Sequence, residues 1–67
     1  MRFSIKEIII HYAKSANITP EELAQYIGIS RNCLYVRFRE PSSWRLGELN
    51  DLYNWLKVPE EERRYEK

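Results

Sequence analysis

Residue types able to do covalent or metal chemistry are scarce in this chain. It holds one histidine, His11, and one cysteine, Cys33, 22 positions apart. That is too few donors for a metal cluster and a weak case for a nucleophile–base pair. His11 falls on the opposite side of its segment from Ile8 and reads as an ordinary surface residue. The carboxylates come in runs, Glu21-Glu22 and Glu60-Glu61-Glu62, where helices are expected to begin and negative charge is electrostatically favoured. Two glycines are too few for a phosphate-cradling loop. The expectation is a chain that is not an enzyme and takes no cofactor, no metal and no small-molecule substrate.

What remains is recognition chemistry, and it lies with the arginines. Residues 31–45 carry Arg31, Arg37, Arg39 and Arg45 against Glu40 alone, a segment charge of +3. In residues 1–30, Arg2, Lys6 and Lys14 are balanced by Glu7, Glu21 and Glu22. Residues 46–67 set Lys57, Arg63, Arg64 and Lys67 against Glu48, Asp51, Glu60, Glu61, Glu62 and Glu66, which leaves −2, so the whole chain is only +1. A concentrated positive field suits a polyanionic partner; the plain alternative is a solvated arginine face.

The stretch from Arg31 to Arg39 reads as a helix with Leu34 and Phe38 turned inward. At ~100° per residue, Arg31, Asn32, Tyr35, Val36 and Arg39 then face outward. An arginine at Arg31 matches the two acceptors on guanine, the Asn32 amide matches the acceptor and donor of adenine, and Val36 fits a thymine methyl. Tyr35 and Arg39 lie further to the side and suit phosphate, while Arg37 is intermediate and flanks the core. In the loop that follows, the Ser42 and Ser43 hydroxyls and backbone amides are phosphate ligands or, equally, parts of a plain connector. Cys33 is expected on the face meeting the preceding helix, as a buried inert thiol, with a redox-sensitive thiol beside a bound partner as the alternative.

Those side chains need two short helices and a tight turn to hold them. Thr19 can cap the first helix, with Pro20 at its first position and Glu22 closing a capping box. Leu23, Ala24 and Ile27 give it one apolar face. Gly28 stops it, because the residue past a helix end often needs a left-handed backbone. Ile29 follows as an apolar residue placed to pack back, and Ser30 caps the second helix. Helix, glycine turn and capped helix is the helix-turn-helix arrangement, whose second helix enters the major groove of DNA.

This segment resembles the Cro and repressor type of helix-turn-helix found in bacteriophage regulators and many bacterial transcription factors. Thr19, Glu21, Glu22, Leu23, Ala24, Gly28, Ile29, Ser30 and Leu34 match its pattern. Pro20 stands where the family often has a glutamine that touches phosphate, and Cys33 where it often has threonine. With flanking helices the resemblance spans residues 5–59. It implies base reading by the first two and the sixth positions of the second helix, here Arg31, Asn32 and Val36. It also implies a sequence-specific binder of double-stranded DNA, a regulator of phage or bacterial transcription. The alternative is an antitoxin-like or anti-repressor protein-interaction module on the same fold, whose acidic C-terminal half meets another protein.

The rest of the chain completes an all-α fold of four helices and a short fifth in one small domain. Ser4 and Glu7 form a capping box for a helix of about Ile5 to Ala16, with a stripe of Ile5, Ile8, Ile9, Tyr12, Ala13 and Ala16. Asn17 suits the left-handed position at its end, and Ile18 follows. After the loop, Trp44 is expected to cover the core beside Leu46. A helix of about Leu46 to Lys57 turns Leu46, Leu49, Leu52, Tyr53 and Leu56 inward, and Ser43 is a better cap for it than Arg45. Trp55 lies ~200° around that helix from Tyr53. It is therefore a candidate exposed anchor for a weak homodimer, with Tyr65 beside it; a tryptophan folded onto the domain's own edge is the alternative. Pro59 begins a last helix, acidic then basic through Arg63, Arg64 and Lys67, with so little apolar face that fraying is expected. No run approaches the ~18 apolar residues of a membrane span. The lone cysteine fits a reducing, cytoplasmic setting without disulfides.

Overall fold

Local signals set the helix starts. In the computed structural model, which describes residues 3–65, Ser4 Oγ accepts from the Glu7 amide (3.2 Å) and the Glu7 carboxylate accepts from the Ser4 amide (2.8 Å). This opens α1, Ile5–Ser15. The backbone bond to Ser4, more than its hydroxyl, holds the Glu7 carboxyl below the usual carboxylate range. Thr19 and Glu22 repeat the exchange at 3.2 and 2.9 Å to open α2, Pro20–Ile27, with Pro20 at its first position. Ser30 Oγ accepts from the Cys33 amide (3.1 Å) at the start of α3, Arg31–Arg39. The fourth helix, α4, spans Leu46–Leu56. Single 3-10 turns lie at Pro41–Ser43 and Glu60–Glu62, and the described residues contain no strand.

Three of the four helices end on one device. A residue in the left-handed region is followed by an aliphatic residue whose amide reaches back five positions. Asn17 (φ 59°) precedes Ile18, which donates to the Ala13 carbonyl (2.8 Å). Gly28 (φ 76°) precedes Ile29, which donates to Ala24 (3.0 Å). Lys57 (φ 59°) precedes Val58, which donates to Tyr53 (3.0 Å). The first two follow the sequence reading. The third differs from it: Lys57 is the left-handed cap rather than the last helical residue, and Val58 is buried in the core. α3 stops differently, at Glu40, because Pro41 cannot donate a helical hydrogen bond and disfavours helical backbone before it.

The caps deliver the apolar faces to one core. Ile5, Ile8, Ile9 and Ala13 of α1 meet Leu23 and Ala24 of α2, Leu34 and Phe38 of α3, and Leu49, Leu52, Tyr53 and Leu56 of α4. Burying each such Leu or Ile contributes roughly 1.5–3 kcal/mol. Trp44 is buried as expected, its ring 5.9 Å from Phe38. Leu46, expected beside it, is instead 63% exposed. As first residue of α4 it projects beyond the edge of the core, and Trp44 fills the place next to Phe38. Ala16, expected on the inner stripe of α1, is likewise exposed, as the capping residue just past the helix end.

Polar contacts rather than a helix shape the C-terminal segment. Only one 3-10 turn forms, so the expected acidic-to-basic helix does not extend to Arg63 and Arg64; Lys67 lies outside the described residues. The segment is nonetheless tied down. The Tyr12 hydroxyl donates to the Glu62 carboxylate (2.6 Å), Tyr53 to the Arg64 carbonyl (2.7 Å) and Tyr65 to Asn50 Oδ1 (2.6 Å). Arg63 donates to the Val58 carbonyl (2.9 Å), and its guanidinium lies 5.9 Å from the centre of the Tyr53 ring. A residue row with little apolar surface is held by tyrosines reaching out from α1 and α4.

Candidate nucleic-acid interface

α2, Gly28 and α3 form the unit that presents the outward-facing residues. Gly28 takes the left-handed conformation for which glycine has no side-chain penalty, and Ile29 packs back on the core, which fixes the direction in which α3 leaves the turn. Leu34, fully buried, and Phe38, nearly so, then pin α3 by one side. The geometry of a helix does the rest. Arg31, Asn32, Tyr35, Val36 and Arg39 all lie on the exposed side, in the two rows 31–35–39 and 32–36. Tyr35 is 45% and Val36 37% exposed, so their apolar surface is available. The Tyr35 ring meets Phe38 edge-on at 6.4 Å, which steadies it without covering it.

The four arginines of this region divide into two kinds. Arg37 forms the one ion pair among the described residues, its Nε 2.9 Å from Glu48 Oε1, and Nη2 donates to Glu48 Oε2 (3.1 Å). Its Nη1 also donates to the Ser43 carbonyl (3.3 Å). Arg31, Arg39 and Arg45 are exposed and have no such pairing among the described residues. The unpaired positive charge of residues 31–45 is therefore carried by three arginines, with the fourth neutralised by Glu48.

In the loop, the two serines have different roles. Ser42 is exposed. The Ser43 hydroxyl donates to the Glu40 carbonyl (2.6 Å), so its proton is held inside the turn. Ser43 does not cap α4: the Glu48 carboxylate accepts from the Arg45 amide (3.1 Å), and Arg45 is the capping residue by its backbone alone. Cys33 is exposed, against the expectation of burial. It lies ~100° from Leu34 around the helix, outside the narrow seam that α3 buries. Pro20, in the first turn of α2, offers no side-chain donor.

Trp55 is half-buried. Its ring stacks on Tyr26 of α2, with centroids 4.2 Å apart and planes within 10°. Of the pair it is Tyr26, 49% exposed, that faces outward, a residue that no motif or spacing singled out. Tyr65 is 39% exposed with its hydroxyl on Asn50. His11 is exposed, its ring edge-on to Tyr12. No group of three or more His, Cys, Asp or Glu side chains among the described residues is arranged to hold a metal ion. No helix there is long and apolar enough to cross a membrane. No family model matches the chain, and neither a curated protein nor a solved structure does.

Proposed function

We propose that this chain binds double-stranded DNA sequence-specifically, with α3 in the major groove. The observation that carries the reading is the outer face of α3. Arg31, Asn32 and Arg39 stand exposed on one side of a helix whose other side is anchored by Leu34 and Phe38, with no internal partner for either arginine among the described residues. Arg31 and Asn32, in the first turn, read guanine and adenine edges, and Val36 meets a thymine methyl. Tyr35, Arg39 and Ser42 take phosphates, which set register without carrying sequence, while the Ser43, Trp44 and Arg45 amides are already bonded within the chain. The resemblance to Cro and repressor proteins supports a role in phage or bacterial transcription, and a two-fold operator calls for a weak dimer formed on DNA.

Selection of tight-binding duplexes from a random pool tests this directly. An enriched consensus is expected, with affinity falling steeply as salt rises because bound counterions are released. Absence of any enriched sequence, together with salt-independent behaviour, sinks the reading.

A protein-interaction role is favoured by a different observation. A cavity of about 590 Å³ lies between the start of α1 and the C-terminal segment, lined by Phe3, Ile8, Glu61, Glu62, Arg63, Arg64 and Tyr65. Phe3 on its rim is 52% exposed. An antitoxin-like or anti-repressor module would use this face and leave α3 free.

A further inference from the structure

Arg37 sits in the middle of the basic segment, yet its guanidinium is turned away from the face formed by Arg31 and Arg39. Its Nη2 donates to Glu48 Oε2 (3.1 Å) and Nη1 to the Ser43 carbonyl (3.3 Å), while Nε lies 2.9 Å from Glu48 Oε1 as a charge contact without hydrogen-bond geometry. The same Glu48 carboxylate accepts from the Arg45 amide (3.1 Å). One guanidinium and one carboxylate thus join α3, the end of the Pro41–Ser43 turn and the first turn of α4. Both side chains are mostly sheltered, with 17% and 14% of their surface exposed. Inside the loop, Ser43 closes on the Glu40 carbonyl through both its amide (2.8 Å) and its hydroxyl (2.6 Å). The Trp44 amide donates to the Pro41 carbonyl (3.2 Å), and the Trp44 ring is buried in the core.

From this geometry we propose that Arg37 is a positioning residue for DNA binding, not a DNA contact. It acts by clamping residues 40–45 against α3, so that Ser42 and Arg45 keep a fixed spacing from Arg39. The proposal rests on the DNA-binding reading above. The fork geometry matters: a planar guanidinium can hold both carboxylate oxygens and a carbonyl at once, whereas a lysine is a single point charge. Pairing also cancels the Glu48 charge, which would otherwise stand beside Arg45 and repel an approaching phosphate.

Arg37→Lys and Arg37→Met separate this role from a phosphate contact. In the free protein, amide hydrogen exchange at Ser43, Trp44 and Arg45 is expected to quicken ~10-fold in both variants while the α1 amides keep their rates. On a selected duplex, measured well below the melting temperature, both variants are expected to bind ~5–20-fold more weakly. The slope of log affinity against log salt stays at the wild-type value, because no phosphate contact is removed. Arg39→Ala, by contrast, flattens that slope by about one unit. Wild-type affinity in Arg37→Lys, or a slope reduced by about one unit in Arg37→Met, overturns the proposal in favour of a direct phosphate contact. Unchanged exchange at residues 43–45 overturns the clamp itself. Wild-type protein that binds no duplex overturns the DNA-binding reading, and is distinguishable because it does so before any variant is compared.

Discussion

Tyrosines and arginines serve opposite ends in two parts of this molecule. Around the C-terminal segment, Tyr12, Tyr53, Tyr65 and Arg63 each have a hydrogen-bond partner within the chain. On α3, Tyr35, Arg31 and Arg39 are exposed, and no such partner is found for them among the described residues. The C-terminal tyrosines substitute for a missing apolar face and hold a segment that hydrophobic burial alone would leave loose. Arg31 and Arg39 make no contact that the fold uses, and Tyr35 only meets Phe38 edge-on, since Leu34 and Phe38 already anchor the helix. A polar side chain that folding does not use is where a partner's contribution should be sought. Arg37 and Arg39, two positions apart, draw the same line within one helix.

The largest effects should come from α3 and should leave the fold untouched. Arg31→Ala and Asn32→Ala are each expected to lose about 1–3 kcal/mol on the preferred duplex and to relax discrimination at one base position. Each should change stability by under ~0.5 kcal/mol, as exposed substitutions generally do. Binding to random DNA should fall only slightly for Asn32→Ala, and further for Arg31→Ala, where a charge is lost. Binding titrations and thermal melts on the same samples check both halves. Variants that keep the wild-type sequence preference would move the functional face away from α3.

Gly28 joins the two regions, because the direction of α3 depends on its turn. Open space surrounds the position a Cβ would take there, so the cost of a side chain is conformational rather than steric crowding with the core. Gly28→Val should lower stability by about 1–2 kcal/mol or more, since branching worsens the left-handed conflict. Gly28→Asn should cost far less: Asn17 already occupies that conformation at φ 59°. A denaturant titration that ranks the two variants equally would show that the backbone angle is not what glycine supplies.

The C-terminal contacts predict a smaller loss confined to stability. Tyr53→Phe removes the bond to the Arg64 carbonyl and should cost about 1 kcal/mol without altering duplex affinity. Its ionisation gives a second handle. Burial pushes the Tyr53 hydroxyl from its ordinary 10.0 up to about 12. A pKa raised on folding means that the neutral form is favoured in the native state. The associated stability is complete below pH 10 and lost as pH rises through about 12. Melting temperatures across that window should fall more steeply for the wild type than for Tyr53→Phe, and parallel curves would place the alkaline transition elsewhere.

How much of this was legible in the sequence depends on how local each signal is. Capping boxes at Ser4–Glu7 and Thr19–Glu22, the glycine turn and the Asn17–Ile18 closure each involve residues within five positions of one another, and all were readable. So were the outward positions of α3, because two anchors on a regular helix determine the rest. What was missed needed partners distant in the chain or unusual for their type. Lysine at Lys57 is a poor guess for a left-handed cap, though the aliphatic Val58 after it repeats the pattern of Ile18 and Ile29. The Arg37–Glu48 pair spans 11 positions across a loop, and Tyr12 meets Glu62 from 50 away. Periodicity suggested an exposed Trp55, whereas the ring is half-buried, packed at the edge of the core and stacked on Tyr26 of another helix.

The smallest effect concerns Leu46, where the sequence pattern and the structure disagree most plainly. Its spacing from Leu49 is three residues and from Tyr53 seven, which puts it on the inner stripe of α4 by periodicity alone. A stripe predicts direction but not where the core ends. Leu46 is the first residue of the helix, and the bulk of Trp44, two positions earlier, already covers Phe38. Leu46→Gln should therefore shift stability by under about 0.5 kcal/mol, whereas Leu49→Ala should cost about 2–5 kcal/mol through the cavity it leaves. Duplex affinity sharpens the test. Leu46 is adjacent to Arg45 but makes none of the contacts that hold the loop, so Leu46→Gln should bind like the wild type if the surface around α3 works through Arg31, Asn32 and Arg39. A loss of stability comparable to that of Leu49→Ala would mean that Leu46 is covered in solution. A loss of affinity with stability intact would extend the proposed DNA-binding face beyond the loop, onto the first turn of α4.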